Sequence, residues 1–187
     1  MNIEKTKFIK MITDQSEAMK KLNRTSVQPG MPDFITGFTI SVGTLLKELW
    51  TPYDWTIPEG GAAKRDVVIA HLAECYLNGL AALLSVPAET KKVDGTADHP
   101  LDRAIDNFIA TFTEVSKDIA TKDENGELPT LKDVVELIGT ACELPADKHL
   151  SFLSEFALIN AVVAMAYPDV TFDEIIHAHS IILTMLR

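Results

Sequence analysis

The sequence predicts an all-α protein: one domain spanning 1–187, a helical bundle of about seven helices. Three observations carry that expectation. Apolar residues recur at spacings of three and four through most of the chain. Breakers such as Pro29-Gly30, Pro52, Pro145 and Pro168 fall between the periodic stretches rather than inside them. No segment sustains the strict alternation of a strand. At 187 residues the chain is long enough to bury a core, and 47% apolar with 24% charged residues is ordinary globular composition.

In residues 3–22, Phe8, Met11, Ile12, Met19 and Leu22 form one stripe with Gln15 inside it, and Lys and Glu take the other face. A buried amide needs partners, so Gln15 either bonds a neighbouring backbone group or faces a ligand. Gln28–Pro32 breaks the chain, and Asp33 is placed to cap the second helix. There Ile35, Phe38, Val42, Leu45 and Leu49 define the apolar face of Ile35–Trp50. Thr51–Gly61 is a loop whose Tyr53 and Trp55 form a pocket wall or fold back onto the core.

Residues 62–84 make a third helix that is apolar nearly all round, from Val67 to Leu83. Such a helix lies at the centre of a bundle or in a subunit interface. His71 and Glu74, three apart on one face, are therefore not plainly solvated. Residues 86–100 read as a polar linker within the domain. Pro100 opens a fourth helix carrying Leu101, Ile105, Phe108, Ile109, Phe112, Val115 and Ile119, and Asp123–Gly126 turns it. A short fifth helix is expected at 131–142 and a sixth at 148–167. Thr171-Phe172-Asp173-Glu174 is a capping box that opens the last helix.

Charge and cysteine usage exclude several roles. A net charge of −10 argues against a nucleic-acid binder that works through clustered Lys and Arg. Cys75 and Cys142 both fall in apolar helical stretches and read as free thiols. That usage suits a reducing, cytoplasmic setting. Met1–Lys10 leads into an amphipathic pattern rather than the apolar core of a secretory leader. No uninterrupted apolar run reaches ~18 residues, so no membrane association is expected. His99, His149, His177 and His179 read as structural or solvated, the last two pointing to different helix faces.

The chain resembles the dimeric dUTPases, common in phages, within the all-α nucleoside triphosphate pyrophosphohydrolases. The resemblance lies in Gly43-Thr44-Leu45-Leu46-Lys47-Glu48-Leu49 followed by Trp55, in His71-Leu72-Ala73-Glu74-Cys75, and in Thr171–Ile176 with Arg187. Their order and spacing span almost the whole chain. The resemblance implies a homodimer with deep helical interfaces, in the host cytoplasm if phage-encoded. It also implies cleavage of a deoxynucleoside triphosphate to monophosphate and pyrophosphate, with Mg²⁺ held by two acidic pairs on successive helices. Gln15, Trp55 and Arg187 become the nucleotide-facing candidates, and Glu74 the catalytic one.

The departures from that pattern decide the reading. Ser41 and Thr44 stand where the first acidic pair is expected, and His71 and Glu74 where the second is. Ser180 and Thr184 replace a Lys and an Asn of the final helix, and Met19 an Asn of the first. One carboxylate in place of four does not hold Mg²⁺ against its hydration. A shifted site of Glu48, His71 and Glu74 would suit Mn²⁺, Zn²⁺ or Fe²⁺ better. The leading expectation is a catalytically degenerate relative without a cofactor, binding a nucleotide or a protein partner. The alternatives are an active pyrophosphohydrolase with a rebuilt Mg²⁺ or Mn²⁺ site, and a structural phage assembly component.

Overall fold

A computed structural model describes residues 1–22, 31–49, 63–84, 100–124 and 152–186. Among these there are six helices and no strand. They are α1 (Lys5–Leu22), α2 (Met31–Leu49), α3 (Arg65–Leu84), α4 (Pro100–Glu124), α5 (Phe152–Ala166) and α6 (Phe172–Met185). The all-α expectation holds. The helix expected at 131–142 lies outside the described residues, as do Cys142 and the loop at 51–61.

The helix boundaries follow local chemistry, with one correction. α2 begins at Met31, so Asp33 sits in its first turn rather than at its cap. Pro32 does not delay the helix, because the first-turn N–H it lacks has no partner within the helix in any case. Asp33 there complements the helix dipole. α4 likewise runs through Asp123 and Glu124, past the expected start of the turn. At α6 the expected capping box is complete: Glu174 N–H donates to Thr171 Oγ1, and Thr171 N–H donates to the Glu174 carboxylate at 3.0 Å.

α3 is the hub. It packs most extensively on α2, then on α6, α1 and α5, while α4 lies chiefly against α5. Its Val68, Leu72, Ala73, Cys75, Tyr76 and Ala82 have no solvent exposure. α3 is also long and apolar enough, by length and composition, to cross a membrane, but 61% of its apolar stretch is buried within the bundle. That is how a bundle's central helix reads.

Each helix contributes one ring to the middle of the core. Phe8 (α1) stacks on Phe108 (α4) at 5.0 Å, and Tyr76 (α3) meets Phe156 (α5) edge-on at 4.5 Å. Phe38 (α2) packs edge-on against Phe156, and Phe172 (α6) lies 5.8 Å from Tyr76. These offset and edge-to-face arrangements favour the ring quadrupoles and add about 0.5–1.5 kcal/mol per pair beyond burial. Gly79 admits this packing: a Cβ there would stand 3.4 Å from both Phe38 and Phe156.

α1 and α6 run side by side in the same direction. Lys7 pairs with Asp173 near their N-termini, and Gln15 meets His179 further along. Arg65, opening α3, donates to both carboxylate oxygens of Glu174 at 2.7 and 2.8 Å and to the Asp169 carbonyl at 3.0 Å. Its Nε lies 2.8 Å from Asp169 Oδ2, close enough for an ion pair but off the hydrogen-bond direction.

Candidate functional site

The α2–α3 seam is where the resemblance locates chemistry, and small polar groups close it. Ser41, 7% exposed, donates to the Gly37 carbonyl at 3.0 Å and accepts from Asn78 Nδ2 at 2.9 Å. Asn78 also reaches the Glu74 carbonyl at 3.3 Å. Thr44 donates to the Ile40 carbonyl at 3.0 Å. Both hydroxyls that stand in place of metal-binding acids are thus turned onto their own helix.

Beside this closed stretch, His71 Nδ1 and Glu74 Oε2 lie 3.2 Å apart, both half-buried. A carboxylate only accepts, so Nδ1 carries the proton. Glu48 is half-buried near the C-terminus of α2, and its charge acts on the Tyr167 phenol. That phenol accepts from the Ala63 N–H and donates to the Ala63 carbonyl. Burial, first of all, and then Glu48 hold the Tyr167 hydroxyl above the usual phenol range.

Among the described residues, no three His, Cys, Asp or Glu side chains gather as a metal-binding group. His71 and Glu74 pair through the one-turn spacing of a single helix, and among the described residues Glu48 is not grouped with them. The seam does not fit Mg²⁺. It offers one carboxylate already engaged with an imidazole and two hydroxyls spent on carbonyls, where Mg²⁺ needs several hard oxygens in octahedral array.

A second polar cluster lies where α1, α3 and α6 meet. Gln15, 1% exposed, donates from Nε2 to the Leu77 carbonyl at 2.6 Å, and its Oε1 lies 2.7 Å from His179 Nε2. Gln15 therefore bonds a backbone group, one of the two uses open to it, and its amide is occupied at both ends. His179 is buried, and burial holds its imidazole down to about 4, so the ring is neutral. Above this cluster, α1 and α6 border a cleft of about 200 Å³.

Two buried polar residues, Asn160 and Glu155, and the half-buried Asn78 escape the sequence reading. Asn160 has no exposure; its Oδ1 accepts from the Tyr76 hydroxyl at 2.8 Å and its Nδ2 donates to the Phe156 carbonyl at 2.7 Å. Glu155 is 6% exposed, its Oε2 has no hydrogen-bond partner among the described residues, and burial pushes its carboxyl up to about 7. Asn78 closes the seam. Asn160 and Glu155 are the polar interruptions of the most apolar run in the chain, and Asn78 lies one turn beyond Glu74 on the same face. Those were the available signals.

Cys75 is fully buried, and desolvation raises its thiol far above the usual range, so it is an inert core residue. Trp55 and Arg187 lie outside the described residues. No family model matches the chain, and neither a curated protein nor a solved structure matches it.

Proposed function

We propose that this chain is a catalytically degenerate, dimeric dUTPase-like protein that works by binding, as a partner or scaffold for a nucleotide or another protein. The observation that supports this reading is the Ser41–Asn78 bond. At the level where an active relative would gather carboxylates around metal, two helices are joined by a hydroxyl and an amide. Neither group carries the charge needed to organise a triphosphate with Mg²⁺.

The test is incubation of the purified protein with each deoxynucleoside triphosphate, dUTP included, in Mg²⁺ and then in Mn²⁺, with pyrophosphate measured. The expected result is no release. A nucleotide partner would then reveal itself by raising the melting temperature without turnover, because a ligand selective for the folded state stabilises it. The His71–Glu74 pair favours a second reading, a rebuilt hydrolase. Under that reading pyrophosphate is released and Glu74→Gln abolishes the release. A protein used only as a structural assembly component would show neither turnover nor stabilisation.

A further inference from the structure

The cleft between α1 and α6 has two kinds of wall. Met11, Ile176 and Leu183 supply apolar surface, while Asp14, His179, Ser180 and Thr184 supply polar groups. What these polar groups ask of a ligand can be traced from the buried hydrogen bonds beneath them.

The Leu77 carbonyl only accepts, so the end of Gln15 that faces it is the amide nitrogen. The other end, facing His179, is then the amide oxygen, which also only accepts. His179 Nε2 must therefore carry the ring proton. In a neutral imidazole with a protonated Nε2, Nδ1 presents a lone pair. His179 is 2% exposed and lines the cleft, and its Nδ1 has no hydrogen-bond partner among the described residues.

The rest of the polar wall has the same sense. Thr184 spends its proton on the Ser180 carbonyl at 2.9 Å, leaving its oxygen able to accept. Asp14 brings a negative charge, and Lys10 reaches it from one turn away at 2.6 Å, so this carboxylate already takes an ammonium. No cationic side chain is among the residues that line the cleft. An anion would meet the Asp14 carboxylate, which Lys10 offsets only from its Oδ2 side, and an imidazole lone pair. At about 200 Å³ the space is below the range that holds drug-sized ligands.

We propose that this cleft binds a small primary amine in its protonated form, the ammonium among Asp14, His179 Nδ1 and Thr184, the alkyl part against Met11, Ile176 and Leu183. The proposal stands apart from the reading of the α2–α3 seam and does not depend on it.

The experiment is an NMR titration of the full-length, ¹⁵N-labelled protein at pH 7.5 with n-butylammonium chloride. Sodium butyrate and sodium chloride at matched ionic strength are the controls. Butylammonium is expected to shift the His179 ring nitrogens and the amides of Ser180 and Thr184 saturably, with a dissociation constant on the order of millimolar for so few atoms. Butyrate is expected to leave them in place. Asp14→Asn, at a partly exposed position, should weaken binding at least threefold. Ser180→Lys, which sets a tethered ammonium beside the cleft, should abolish it while the rest of the spectrum keeps its folded dispersion. The proposal is overturned if butylammonium gives no saturable shift at His179, if butyrate shifts the same signals equally, or if Asp14→Asn leaves the affinity unchanged.

Discussion

Asn78 Oδ1 occupies the space that a side chain on Gly37 would need: a Cβ there would lie 2.8 Å from it, well inside contact distance. Gly37 and Asn78 thus set how closely α2 and α3 approach. Moving the amide aside would break its bonds to Ser41 and to the Glu74 carbonyl. Gly37→Ala should therefore destabilise the protein by about 1 kcal/mol: the ~1 kcal/mol gain in helix propensity is outweighed by an amide left half-paired. Adding Asn78→Ala should recover the loss. Urea unfolding of the two single variants and the double variant measures this coupling, and strict additivity would refute it.

Tyr76 and Asn160 form the bond that joins α3 to α5 in the core. Tyr76→Phe keeps the ring packing and leaves the Asn160 oxygen without its donor. The expected cost is about 1–3 kcal/mol, read as a lower urea midpoint at unchanged slope. A midpoint equal to wild type would mean that water or another donor replaces the phenol.

Glu155 should oppose folding at neutral pH. Its carboxyl is raised to about 7 from the ordinary 4.5 by burial, so the folded protein holds a proton that the unfolded chain gives up. Stability then falls as pH rises from 4.5 to 7, and the full cost remains above that window. Glu155→Gln should raise the melting temperature at pH 8 and change it little at pH 4.5. An equal shift at both values would assign the effect to packing rather than to charge.

His179 acts at the acid end. Burial lowers it to about 4 from 6.5, so its contribution is complete above pH 6.5 and is lost as pH falls towards 4. The difference corresponds to at most about 3 kcal/mol. Glu174, drawn down to about 2 chiefly by its bond to Arg65, begins to lose its contribution only below pH 4.5. In a Glu155→Gln background, which removes the opposing gain on acidification between pH 7 and 4.5, thermal melts across pH 3–8 should show the first decline starting near 6.5, and the NMR signal of His179 should titrate near 4. A His179 midpoint near 6.5 would remove the basis of that first decline.

The sequence made the elements legible and left most of their contacts hidden. α3 announced itself as the hub, because a stretch apolar on every side has no solvated face to offer. The Thr171–Glu174 cap was legible because a capping box is four residues long and acts only on its neighbours. Asn78 was not legible as a spacer, since its role depends on a glycine 41 positions earlier in the sequence. His179 read only as structural or solvated, and neither its partner on α1 nor the carbonyl behind that partner could be read from spacing. Pro32 looked like a barrier to α2 because the sequence does not distinguish a proline before a helix from one in its first turn.

The parallel contact between α1 and α6 also sets a schedule. Gln15 and His179 are 164 positions apart, and the residues that face α1 from α6 are the last of the described helices to be made. At ribosomal rates of about 5–20 residues per second, Phe8 and Met11 wait roughly ten to thirty seconds for that partner. Until α6 is made, a nascent chain keeps the α6-facing side of α1 uncovered, and that is the interval in which a chaperone would engage it.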